Sequence, residues 1–229
     1  TQLAVYEPPV MTRVQAGDGR LLVEYAKQKR VFVPVSKMPK LLLQAFLSAE
    51  DKNFYYHPGI DLVGVIRAAL ANIKNIVQGT RLVGASTITQ QVAKNFLLTS
   101  DVTLERKIKE AILALRIERA LPKERILELY LNEIYLGFGS YGVAAAALNY
   151  FNKSLDSVTI AEAAFLAALP KAPNNYNPLK YSIAAKARRD WVIGRMLEDG
   201  GITPKQSNRA IVQPLYMDNR DEAEFVQAK

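Results

Sequence analysis

The sequence predicts a mainly helical domain with a small β element at its start. From Pro39 to about residue 212, apolar residues recur at helical spacing between recognisable caps. Residues 10–35 instead alternate apolar and polar side chains around a turn. At 229 residues, 49% hydrophobic and 23% charged, the chain has enough material for a buried core and the balance of a folded globular protein.

The β element comes first. Val10 to Val14, the turn Gly17-Asp18-Gly19 and Leu21 to Tyr25 predict a hairpin, with Val31 to Val35 a third strand. Leu42, Leu43, Phe46 and Leu47 then form one helical stripe ending at Glu50-Asp51. Past the Pro58-Gly59 break, Asp61 reads as the N-cap of a helix carrying Leu62, Val65, Ile66, Ala69, Leu70 and Ile73. Gly79 to Gly84 is expected to be a loop. Thr103 opens a long helix to about Ala120, with Ile108, Ile112, Leu115 and Ile117 on its apolar side. Pro122 suits the first position of the next, which runs to about Gly137. Thr159 and Glu162 fit a capping box, residues 182–199 a basic amphipathic helix, and Thr203 to Gln206 a last cap.

Composition narrows the chemistry. The chain has no cysteine, so thiolate chemistry and a disulfide framework are excluded. A single histidine, His57, leaves little for a multi-histidine metal site or a histidine-dependent triad. The net charge of +8 suits an anionic partner: nucleic acid, acidic lipid or a phosphorylated substrate. No apolar run is long enough to span a bilayer. No signal peptide opens the chain, and Thr1 reads as a cut inside a longer protein.

Three stretches carry polar chemistry. Gly84 to Asn95 sets hydroxyls, amides and one ammonium along a helical run. In a packed core each polar group needs a partner or costs about 1–3 kcal/mol, whereas a wall holding a polar ligand supplies partners. Glu50-Asp51, with Phe54, His57 and Gly59, places two carboxylates at a helix end, where the dipole favours cations. Shielding by Phe54, Tyr55 and Tyr56 would raise one carboxylate toward the range of a general base; a solvated helix end with a satisfied histidine explains the same residues. In Arg106-Lys107-Ile108-Lys109-Glu110, Arg106 and Glu110 share a helix face, and the cations suit phosphate oxygens. An exposed ion-pair ladder accounts for that array equally well. Arg188-Arg189 reads as part of a solvated face, and Lys123 to Asn132 as a core-facing helix in which Asn132 ties a loop.

Taken together these stretches resemble glycosyltransferase family 51, the peptidoglycan polymerase domain of class A penicillin-binding proteins. EDxxFxxHxG matches Glu50, Asp51, Phe54, His57 and Gly59, and GxSTITQQxxKN matches Gly84, Ser86 to Gln91, Lys94 and Asn95. RKxxE is Arg106, Lys107 and Glu110; KxxILExYLN is Lys123, Ile126 to Glu128 and Tyr130 to Asn132. The fifth motif is Arg188, Arg189 and Val192. All five stand in the family's order across residues 50–192.

The resemblance implies a lysozyme-like bilobed helical fold: a β-hairpin and linker over 1–38, a glycosyltransferase domain over 39–212 with a large lobe and a small membrane-proximal lobe, and a linker beginning at 213–229. It implies joining of lipid II units into a growing glycan strand, with inversion at the anomeric carbon and release of undecaprenyl pyrophosphate. Glu50 would take the proton of the attacking 4-hydroxyl, and Glu110 would assist the pyrophosphate directly or through a divalent cation. Lys94, Arg106 and Lys109 would neutralise phosphate, with Lys107 beside them. Asp51, Ser86, Gln90, Gln91 and Asn95 would line the cleft, and Arg67 is a looser candidate for the donor side. No cofactor is obligatory on this reading, though Mg2+ or Mn2+ at the pyrophosphate fits it. The partners implied are lipid II, the membrane surface on the extracytoplasmic face of a bacterial inner membrane, a moenomycin-type inhibitor and a C-terminal transpeptidase domain, with no nucleic acid.

Residue chemistry agrees with the resemblance. An inverting displacement needs one base and a stabilised leaving group, and a pyrophosphate wants cations more than a strong acid. Ile73, Ile76, Val77, Leu82 and Val83 would dip into the lipid interface. A lysozyme-like hydrolase or lytic enzyme would have little use for the cations beside Glu110. A basic module binding nucleic acid or membrane without turnover would interleave cations with aromatics in one stretch, and that pattern is absent.

Overall fold

The computed structural model describes residues 12–15, 21–25, 29–77, 84–97 and 103–217. Its helices are α1 (Lys40–Glu50), α2 (Leu62–Val77), α3 (Ile88–Leu97), α4 (Leu104–Ala120), α5 (Lys123–Glu133), α6 (Val143–Phe151), α7 (Ile160–Ala168), α8 (Ser182–Glu198) and α9 (Pro204–Val212). The strands are β1 (Thr12–Gln15), β2 (Leu21–Tyr25), β3 (Lys29–Arg30) and β4 (Ser140–Tyr141). The chain is mainly helical, as the sequence predicts. The turn Gly17-Asp18-Gly19 and the loop residues 79–83, Leu82 and Val83 among them, lie outside the described residues. Two compact units emerge: Glu50–Tyr130, and the flanking residues up to Ala49 and from Leu131 onward.

In the flanking unit β1 and β2 form the expected antiparallel hairpin, with Val14 opposite Val23. The third strand expected over Val31 to Val35 does not form. β3 ends at Arg30 after pairing in parallel with β4, and Val35–Lys37 is a turn of 3-10 helix. Between them a side chain takes the place of a neighbouring strand. The Asn132 amide accepts from the Val33 N–H at 2.8 Å and donates to the Val33 carbonyl at 2.9 Å. Pro34, next along, has no N–H to offer a ladder.

The core of this unit is α7, whose residues Ala163 to Ala168 are all buried and which packs against α6, α8 and α9. The Thr159–Glu162 capping box starts α7, and the Thr203–Gln206 box starts α9. The rings of Tyr150, Phe151 and Phe165 cluster with centroids within 6.1 Å of one another, and the Tyr150 hydroxyl donates to the Leu136 carbonyl at 2.7 Å. Gly142, at φ +81°, admits no side chain, since a Cβ would stand 2.5 Å from the Asn132 carbonyl oxygen.

Arg189 does not lie on a solvated face. Its side chain is 0% exposed and caps the end of α9, donating to the carbonyls of Ile211 at 3.0 Å and Gln213 at 2.6 Å. Asp190 supplies the counter-charge to the same guanidinium. Those orphan carbonyls carry the negative end of the helix dipole, so a buried arginine fork is well matched to them. Arg188 stacks over the Trp191 ring at 3.8 Å.

In the Glu50–Tyr130 unit two apolar stripes face outward, one wholly and one in part. On α2 the stripe of Leu62, Val65, Ile66, Leu70 and Ile73 points outward, joined by Val63 and Ile76, while Ala68 is buried. On α4, Ile108 and Ile112 are exposed, and the buried line is Glu110, Ala114 and Ile117. Helical periodicity reports that a stripe exists; it does not report which way the stripe faces. Both N-caps are as expected: Thr103 accepts from the Arg106 N–H, and Asp61 from the Gly64 N–H at 2.9 Å.

Candidate active site

The apolar run of α1 ends at Glu50, and residues 51–59 fold into a cross-linked loop. The Asp51 carboxylate accepts from His57 Nε2–H at 2.9 and 3.0 Å and from the Ile88 N–H at 3.0 Å. An acidic group against the first turn of α3 is favoured by its dipole. His57 Nδ1 accepts from the Gly59 N–H at 3.1 Å, which makes the ring the neutral tautomer with its proton on Nε2. Gly59 has φ +101°, and a Cβ there would meet Glu118 Cγ at 2.9 Å and the Ala114 carbonyl at 3.0 Å. Its own carbonyl accepts from the Thr87 hydroxyl at 2.6 Å.

Lys123 closes the loop from α5. Its ammonium donates to the His57 carbonyl and to Glu118, both at 2.7 Å, and sits 4.4 Å from the centroid of the buried Phe54 ring. Thr89 donates to the same Glu118 oxygen at 2.5 Å. In the sequence this lysine reads as part of a core-facing helix and as the first residue of the fourth motif, with no role assigned to it. A signal was present: a cation at the first residue of a helix opposes the dipole and needs an anionic or carbonyl partner.

Glu50 itself accepts a hydrogen bond from an amide: Gln91 Nε2 lies 2.8 Å from Glu50 Oε2. Of the aromatic shield expected around it, two rings lie open to solvent. Tyr56 is 90% exposed and Tyr55 about half so; of the three rings only Phe54 is buried. Behind Gln91, the buried Tyr130 hydroxyl lies 3.4 Å from Gln91 Oε1. Burial first, then the charges of Glu50 and Asp51, push the Tyr130 phenol well above its ordinary range.

Glu110 is 2% exposed, and on its own helix its partner is Lys107, three residues earlier. The Lys107 ammonium also donates to the Ser86 hydroxyl at 2.8 Å. A buried carboxylate is tolerable because this cation stands against it. Arg106 is half-buried, and its Nε is buried without a hydrogen-bond partner among the described residues. Lys109 turns to the exposed side of α4 and pairs with Glu105 at 2.6 Å. The Glu105 carboxyl is lowered by that hydrogen bond and by the lysine charge.

Both glutamates are therefore tied to one short stretch at the start of α3: Glu50 through Gln91, and Glu110 through Lys107 to Ser86. Asp51 and Gln90 make their hydrogen bonds to His57, the Ile88 N–H and Thr87. Gln90 accepts from the Thr87 N–H at 3.0 Å while its own N–H reaches Thr87 Oγ1 at 3.1 Å, a reciprocal cap on α3. Lys94, Asn95 and Arg67 are exposed. Among the described residues no group of three or more His, Asp or Glu side chains is placed to hold a metal ion.

Residues 18–197 match the family described as Transglycosylase. The chain belongs to the transglycosylase family. It is 57% identical over 228 residues to penicillin-binding protein 1A of Rickettsia felis, covering 100% of this chain and 29% of that protein. To penicillin-binding protein 1A of Aquifex aeolicus it is 48% identical over 223 residues, covering 97% of this chain and 30% of the relative. The crystal structure of penicillin-binding protein 1A from Haemophilus influenzae superposes with a TM-score of 0.52 at 28% identity, over 94% of this chain and 22% of that one. The chain thus spans about three-tenths of the length of the curated relatives it matches. A transglycosylase domain accounts for the mainly helical fold and for the five motifs in their order.

Proposed function

We infer that this domain is a peptidoglycan glycosyltransferase, polymerising lipid II into glycan strands with inversion at the anomeric carbon. The observation that carries the reading is the unequal treatment of two carboxylates tied to Ser86–Gln91. Glu50 receives an amide, while Glu110 is buried against a lysine with a half-buried arginine four residues before it. In the reaction the acceptor 4-hydroxyl gives its proton to Glu50 as its oxygen bonds to the donor's anomeric carbon. The bond from that carbon to the pyrophosphate oxygen breaks, and the electron pair leaves with the pyrophosphate. Such a displacement asks for one base and a cationic cradle.

The cradle follows from the contacts. Lys107 is held between Glu110 and Ser86, so Glu110 acts on the leaving group by fixing that ammonium. Arg106, with a donor unused among the described residues, supplies a guanidinium to phosphate oxygens. Lys94 adds a further exposed cation, and Lys109 is turned to Glu105. A divalent ion would arrive with the pyrophosphate and have the Glu110 carboxylate beside the cradle.

The outward apolar residues of α2 and α4, among them Ile66, Leu70, Ile73, Leu104 and Ile108, suit a lipid surface, and the net charge of +8 suits anionic headgroups. Among the described residues no helix is long and apolar enough to cross a membrane. A moenomycin-type phosphoglycolipid would compete for the same cations. Incubating the chain with labelled lipid II and sizing the product tests the reading. Long polymer is expected; release of short fragments from sacculi, with no polymer, would assign a hydrolase instead.

A further inference from the structure

Tyr130 is absorbed by none of the roles above, yet its hydroxyl stands behind the amide that touches Glu50. The side chain is fully buried in the Glu50–Tyr130 unit, on α5. Its oxygen lies 3.4 Å from Gln91 Oε1, and Gln91 Nε2 lies 2.8 Å from Glu50 Oε2. An amide has a donor end and an acceptor end, so a phenol donating to the oxygen turns the N–H end toward the carboxylate.

We propose that Tyr130 is a positioning residue for the reaction, acting through Gln91 to keep an N–H donor aimed at Glu50. The proposal rests on the reading of Glu50 as the base. The phenol keeps its proton across the working range because burial and the charges of Glu50 and Asp51 disfavour the phenolate. The relay therefore keeps one polarity. Its effect on Glu50 is to favour the ionised form, holding the base ready at neutral pH. Asp51 is held by His57 and the Ile88 N–H, and on α4 Lys107 is held by Glu110 and Ser86.

The test uses the whole chain carrying 13C-labelled glutamate carboxyls, with the Glu50 signal assigned by its loss in Glu50→Gln. Tyr130→Phe keeps the ring and removes only the hydroxyl; Gln91→Leu removes the amide. Gln91→Leu is expected to move the Glu50 midpoint upward by about one to two pH units, as loss of a hydrogen bond to a charged group does, and Tyr130→Phe to move it the same way by less. The double variant is expected to match Gln91→Leu alone, because the relay runs through the amide. The acid limb of kcat/KM for lipid II should move with it. An unmoved midpoint in Tyr130→Phe, or shifts that add in the double variant, would overturn the relay. A midpoint that moves while the acid limb stays upholds the relay and removes Glu50 as the base.

Discussion

The ammonium of Lys123 lies 2.7 Å from the carbonyl oxygen of His57, and it joins the start of α5 to the loop that follows Glu50. The same nitrogen pairs with Glu118, which is 8% exposed. Lys123→Met should therefore lower stability by about 3 kcal/mol, since a carboxylate is left buried with Thr89 as its remaining donor among the described residues. Turnover should fall further than stability accounts for, because the carbonyl of His57 loses its anchor. Chemical denaturation and lipid II turnover on one preparation check this; a stable variant with wild-type rate would refute the clamp.

Lys107 and Glu110 should behave as a unit. Glu110→Gln leaves Lys107 without its counter-charge, and Lys107→Met leaves Glu110 buried and unpaired; each is expected to reduce polymerisation by roughly two orders of magnitude or more. The double variant should be little worse than either single one. Initial rates for the four proteins give the coupling directly, and independent effects would separate the two residues.

Asp61 offers a pH dependence. Burial pushes its carboxyl up, but the Gly64 N–H, the Asn53 amide and the charge of Arg67 outweigh it, and the net shift is downward from 3.8. A lowered folded value means the contribution is complete above that ordinary value and is lost as pH falls below it. Asp61→Ala should cost about 1 kcal/mol at neutral pH, as an N-cap does, with the gap closing under acid. Thermal melts of both proteins from about pH 7 to about pH 3 follow it, across the range where the carboxyl takes up its proton. A gap that stays constant would mean the cap is not acting through its charge.

The elements legible in the sequence were those set by local chemistry. Thr103, Thr159, Thr203 and Asp61 announced their helices because a cap is a bond to a backbone group two or three residues away. What was not legible depends on partners distant in the chain. Spacing placed Ile108 and Ile112 on the apolar side of α4, and nothing local said that Glu110 occupies the buried side. Arg189 read as solvated because its acceptors are carbonyls more than twenty residues on. Val31 to Val35 has the composition of a strand, and only the Asn132 side chain, 99 residues from Val33, explains why no ladder forms. The five motifs named candidate residues but not their contacts: Asp51 bonds the Ile88 N–H and Gln90 caps α3, while Glu50 and Glu110 reach the start of α3 through Gln91 and Lys107.

The most direct measurement is the polymerisation of labelled lipid II by Glu50→Gln, with circular dichroism and melting recorded on the same sample. The substitution removes a charge and hardly alters shape. The account predicts a folded protein, still bound by a moenomycin-type inhibitor, with no detectable glycan polymer. Polymer formed at the wild-type rate by that variant would contradict it.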